Sequence, residues 1–227
     1  MFTPAFFRVC AISSVLSALT TLALILLPML FAAGSGFEAR MARVQDAAYQ
    51  WRAWIYLAHP LFVMVAAIGV AARLWPKRAG WAAPGLLAFL LWGFTESAQQ
   101  TMTLVAFDRW RTAYLAGDEA VRATMALRTA VYDGLWDAMY LLLLVGFFFG
   151  NVLYAGALRN GGAFGRILAG LFIAAALLTL LLFSGELGGP TLPASIMPWT
   201  YLAVQPWARF LIGVWLWQQA PTVPDAR

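Results

Sequence analysis

A chain of 227 residues in which 63% are hydrophobic and only 11% charged does not have the charged surface of a soluble globular domain, and it reads as an integral membrane protein. Its formal net charge is +5, but the basic residues form neither a long run nor a stripe interleaved with aromatics, which argues against a nucleic-acid partner. Cys10 is the only cysteine and His59 the only histidine. An intrachain disulfide, a cysteine metal cluster, a bis-histidine haem and a three-histidine zinc centre are therefore excluded; no metal site is predicted and no cofactor is assigned.

A hydrocarbon core about 30 Å thick takes roughly 20 apolar residues to cross as a helix. The first such stretch, 9–33, follows Arg8 and ends in small residues as a signal peptide does. Its apolar run exceeds a signal core of about 7–15 residues, so it is expected to remain as a helix. Phe37, Met41, Val44, Ala48 and Trp51 then recur at steps of four and three, the signature of one helical face. Spans are predicted at 54–74 and 82–106. Between them and the next span, residues 110–132 are rich in Ala, Arg and Leu, with Asp118 and Glu119 suited to opening a helix. Further spans are predicted at 135–158 and 166–185. From Gly185 to Pro198 there are too many glycines and prolines for a helix, so a loop is expected. The last span is 199–217, before a tail with Pro221 and Pro224. The apolar runs are long and continuous, unlike the alternating strands of a barrel. The expected fold is an all-α bundle of six transmembrane helices in a single domain over residues 1–227.

Loop charges orient the bundle. Arg73, Lys77 and Arg78 follow the second span, Arg159 and Arg166 follow the fourth, and neither group includes an acid. These turns are expected in the cytoplasm with both termini. The other side carries Arg40, Arg43, Arg52, Arg109, Arg111, Arg122 and Arg128, interspersed with Glu38, Asp46, Asp108, Asp118, Glu119, Asp133 and Glu186. Helical extensions between helices one and two and between helices three and four are thus expected on the periplasmic side of an inner membrane. Two aromatic-rich helix entries, Tyr49 to Tyr56 and Tyr132 to Tyr140, faintly echo one another there.

Ionisable residues inside apolar spans mark where to look for function, because a charge at the centre of a spanning helix costs roughly 2.5–3.5 kcal/mol. Glu96 and Arg209 are such residues. Trp92, Glu96, Gln99, Gln100 and Thr103 fall on one helical stripe. The fourth span adds Trp136, Asp137, Tyr140 and Asn151, the sixth adds Gln205 and Arg209, and the second adds His59 beside Pro60. Glu96 and Arg209 each lie about 15 Å from the outer end of their helices, so they are expected to pair at the bottom of a polar funnel. Trp51, Trp54, Trp81, Trp110, Trp199 and Trp217 suit interfacial belts, whereas Trp92, Trp136 and Trp207 fall beside the stripe. Gly146 and Gly150 have the spacing that permits close helix approach.

The function expected from this pattern is binding or transport of a small amphipathic or lipid-like ligand in a periplasm-facing intramembrane pocket. Its lining would be Glu96, Gln99, Gln100, Arg209, Gln205, Trp92, Asp137, Trp136, Tyr140 and His59. Membrane lipid is the expected surrounding partner. Two alternatives come from other classes: an intramembrane enzyme using Glu96 or Asp137 as acid or base with His59 assisting, or a non-catalytic subunit whose stripe meets another membrane chain or a second copy. The structural alternative is that the amides are interhelical hydrogen-bond glue and the charged pair a bridge. No phosphate-binding glycine loop, His-Glu-x-x-His or Gly-x-Ser-x-Gly motif is present, and no inverted repeat favours movement over binding.

Overall fold

The computed structural model describes residues 2–31, 34–193 and 195–218, and the regular elements among them are all helical. Helix α1 (Pro4–Leu26) starts where the Thr3 hydroxyl accepts from the Phe6 N–H at 3.2 Å. Pro4 occupies the first turn, where a missing N–H leaves no bond unmade. Pro28 lies in the 3₁₀ turn Leu27–Leu30 that closes this helix. The short helix α2 (Gly36–Ala42) and a 3₁₀ turn, Arg43–Gln45, lead to Asp46.

The single helix expected over 37–51 is not formed. The Asp46 carboxylate accepts from the N–H groups of Ala48 and Tyr49, at 2.8 and 3.1 Å, and caps a new helix, α3 (Ala47–Met102). A side chain that satisfies its own downstream amides competes with continuation of the helix before it.

Helix α3 has 56 residues, and at 1.5 Å per residue it would reach about 84 Å if straight, more than twice a hydrocarbon core. It is a hairpin. Arg78 leaves helical geometry (φ −145°, ψ 34°), two residues after Pro76, and the two arms fold against each other. The His59 and Trp92 rings meet edge to face at 6.1 Å. A Cβ at Gly93 would lie 2.5 Å from Met64 Cγ, so the missing side chain admits the opposite arm.

A π-helical turn, Thr103–Phe107, continues into α4 (Asp108–Ala116). Asp118 then caps α5 (Glu119–Leu158) by accepting from Val121 N–H at 2.9 Å, as the acidic opening of this segment predicts. Helix α6 (Gly162–Glu186) begins with Gly162 at φ 74°, and after it residues 187–188 and 195–196 form turns and 189–193 are irregular before α7 (Met197–Gln218).

Helix α5 packs along the second arm of α3 and against α6, while α1 lies against α7 and α3. The Gly146 and Gly150 spacing is used at the first of these contacts. A Cβ at Gly146 would lie 2.9 Å from both Ala88 O and Trp92 N, and one at Gly150 would lie 2.9 Å from the Phe89 ring. Four helical stretches among the described residues are long and apolar enough to cross a membrane: Pro4–Leu30, Ala47–Ala116, Glu119–Leu158 and Gly162–Glu186. The second of them contains the hairpin.

The two ends of the bundle differ. At one, the Arg78 turn meets the α5–α6 turn, and Arg73, Lys77, Arg78, Asn160 and Trp215 line a depression of about 460 Å³. The Arg8 guanidinium lies 5.9 Å from the Trp217 ring, and α1 packs on α7, so the start of α1 and the end of α7 share the basic end. At the other stand α2, α4 and the start of α5.

Candidate functional site

The end opposite the Arg78 turn has a small core of its own, in which Met41, Phe107, Tyr114, Met125 and Tyr132 are buried together. Phe107 stacks on Tyr132 at 4.4 Å. The Tyr132 and Thr103 hydroxyls share a hydrogen bond of 2.6 Å. The Tyr114 hydroxyl donates to Glu38, tying α4 to α2.

Two arginines are fixed here by carboxylates. Arg40 grips Asp133 with both terminal nitrogens, Nη1 donating to Oδ2 at 2.8 Å and Nη2 to Oδ1. That hydrogen bonding raises Arg40 further above its ordinary pKa. Arg111 donates from Nη1 to Asp108 Oδ1 at 3.1 Å, and the Tyr49 hydroxyl donates to the same oxygen at 3.0 Å. The Arg111 guanidinium sits 4.1 Å from the Phe107 ring centroid and 4.8 Å from that of Tyr49, a cation held between aromatic faces.

These groups surround a cavity of about 480 Å³. Five aromatic residues contribute to its wall: Tyr49, Tyr56, Phe107, Tyr132 and Trp136. Its polar lining is Arg40, Arg52, Arg111, Gln100, Thr103, Asp133 and Asp137. Three of these side chains carry a buried nitrogen with no partner, namely Arg52 Nε, Gln100 Nε2 and Arg111 Nε.

The residues singled out by sequence separate into layers. Trp92, Glu96, Gln99, Gln100 and Thr103 are all buried, so their stripe faces protein. Gln100, Trp136 and Asp137 line the cavity. Gln99 does not: its amide donates to the Trp136 carbonyl at 3.0 Å, joining α3 to α5. Glu96 lies one helical turn below Gln100 and hydrogen-bonds to Tyr56, which does line the cavity. Gln205 and Arg209 line a different space of about 40 Å³ near Ser17 and Asn151, with room for a few waters at most. Tyr140 packs half-buried against the main core. His59 Nδ1 meets the Thr20 hydroxyl at 2.7 Å, and its ring meets Trp92, so it is held between α1 and the second arm of α3.

Glu96 and Arg209 are close enough to act on each other electrostatically, but they do not form the direct ion pair expected. Among the described residues, ion pairs join Arg40 to Asp133 and Arg111 to Asp108. Arg209 instead places its guanidinium 5.9 Å from the Trp92 ring centroid, and its backbone carbonyl accepts from the Ser14 hydroxyl at 2.6 Å. Trp207 is also corrected: it is exposed, because two residues along a helix is a rotation of about 200° away from the face of Gln205 and Arg209.

Sequence inspection missed Arg40, Arg52, Arg111, Tyr49, Tyr56 and Tyr132 as members of one site. The available signal was the pair of tyrosine-rich helix entries, both of which contribute to the cavity wall. No group of His, Cys, Asp and Glu among the described residues is arranged to hold a metal ion. Compared with protein-family models, curated proteins and solved structures, the chain matches none of them.

Proposed function

We propose that this chain is a six-crossing inner-membrane protein that binds a small amphipathic ligand in the cavity bounded by α2, α3, α4 and α5. The single observation that carries this reading is the cavity itself. Its volume of about 480 Å³ lies within the roughly 300–1,000 Å³ of small-molecule sites. It combines aromatic walls with convergent polar groups, as such sites do. Binding is preferred to catalysis because the buried carboxylate Glu96 lies outside the cavity lining, engaged by Tyr56.

The six crossings count the two arms of α3 separately and include α7. With the basic end in the cytoplasm, both termini are inside and the cavity faces the periplasm. Cysteine labelling in a Cys10→Ser background checks this orientation. On intact cells, Ala116→Cys is expected to react with a membrane-impermeant maleimide, and Ala79→Cys only after permeabilisation. The opposite pattern would turn the cavity toward the cytoplasm.

Binding is checked by extracting purified protein and identifying what it carries. Wild type is expected to retain an amphiphile, and Gln100→Leu to lose most of it while staying folded and monodisperse. Gln205→Leu should retain it, since Gln205 lines the separate small space. Equal retention by both variants, or no bound amphiphile in wild type, would refute the assignment of this cavity and leave the subunit alternative.

A further inference from the structure

The charges around this cavity do not all serve the same purpose. Arg40 and Arg111, though both contribute to the wall, are each neutralised by a carboxylate of the protein. Arg52 is different. It lines the cavity, makes neither of the two ion pairs among the described residues, and has a buried Nε without a partner. Its guanidinium lies 5.0 Å from the Tyr56 ring centroid. Gln100 lines the same space with a buried amide nitrogen also lacking an acceptor. Asp137, on α5, supplies an acidic side chain to the lining and makes neither ion pair.

With the two fixed pairs set aside, the lining presents one cation on α3 and one anion on α5. A ligand head with only a negative group would satisfy Arg52 and Gln100 but meet repulsion from Asp137; one with only a positive group would leave the donors unmatched. Resting on the amphiphile-binding reading above, we infer that the ligand's polar end is zwitterionic. Its phosphate or carboxylate oxygens accept from Arg52 and Gln100, and its ammonium group faces Asp137. Buried N–H groups require acceptors, and a second charge of opposite sign selects against simple acids. Glu96, the remaining nearby acid, lies outside the lining, where it hydrogen-bonds to Tyr56 and interacts through space with Arg209 and Arg52. Asp108 is taken up by Arg111 and Tyr49.

The test uses the full chain in a neutral maltoside detergent and four probes: lauroyl lysophosphatidylethanolamine, lauroyl lysophosphatidic acid, monolaurin and free phosphoethanolamine. Affinity is read by calorimetry and by the shift in thermal unfolding. Lysophosphatidylethanolamine is expected to bind wild type at least about tenfold more tightly than the other three, and Arg52→Gln to remove about that factor. The exposed site variant Asp137→Asn should invert the preference, weakening lysophosphatidylethanolamine and strengthening lysophosphatidic acid. A purely structural role for Asp137 would not produce that crossover.

Lysophosphatidic acid binding as well as the zwitterion, with Asp137→Asn altering neither, overturns the inference in favour of a simple anion. Monolaurin binding as tightly, with Arg52→Gln without effect, overturns it while the cavity reading stands. Phosphoethanolamine binding as tightly as its acylated form supports a zwitterion but overturns the requirement for a chain. Should none of the four bind, both the inference and the cavity reading fail.

Discussion

Arg111→Met is expected to loosen the whole end of the molecule that carries the cavity, with a loss of about 3–5 kcal/mol. Arg111 is buried, and its removal leaves Asp108 with the Tyr49 hydroxyl but no cation. The same change strips a guanidinium from between Phe107 and Tyr49, and Phe107 belongs to the small core that joins α2, α4 and α5. Asp108→Asn in the same chain removes the uncompensated charge and should recover part of the loss. Unfolding of the two single variants and the double variant in mixed micelles measures the coupling, expected to exceed about 1 kcal/mol for groups in contact. Strict additivity would show that the ion pair does not organise this end.

The bundle's interior should respond most strongly at Tyr154. This residue is about 1% exposed, and its ring packs 5.1 Å from Phe89 and 5.8 Å from Phe172. Gly85 makes room for it, since a Cβ there would lie 2.6 Å from the Tyr154 ring. Its hydroxyl donates to Ala67 O at 2.8 Å, so one side chain joins both arms of α3 to α5 and α6. Tyr154→Ala should cost about 3 kcal/mol, the low end of large-to-small losses, because surrounding lipid is itself apolar and the loss is mainly one of packing. Tyr154→Phe keeps the ring and should cost only about 0.6–1 kcal/mol for the hydrogen bond. Comparable losses in the two variants would mean that the hydroxyl, rather than the ring, holds these helices together.

Much of the framework was legible from hydrophobicity and spacing. The chain turns back at Arg78, within the basic interval expected between two spans, because polar residues and Pro76 interrupt an otherwise continuous apolar pattern. Asp118 caps α5 where its acidic opening indicated. The stripe from Trp92 to Thr103 is buried, since amides and a carboxylate cannot face hydrocarbon cheaply. The break at Asp46 was hidden because the apolar periodicity runs through it, whereas the cap depends on the aspartate turning onto Ala48 and Tyr49.

For Glu96 and Arg209, residue counting along each helix supplied an approximate depth but no rotation about the axis, and contact requires both. The structure engages Glu96 with Tyr56 and sets Arg209 against Trp92. The cavity was less legible still, because its lining comes from residues as distant as Arg40, Gln100 and Asp137. Sequence by itself determined that the chain is apolar enough for a membrane, where its long helices run and which polar residues turn inward, because these depend on local composition and helical period. Only tertiary structure decided which inward residues share a space and which arginines already have a carboxylate, because hydrogen bonds and ion pairs form across a few ångströms between helices that sequence alone does not bring together.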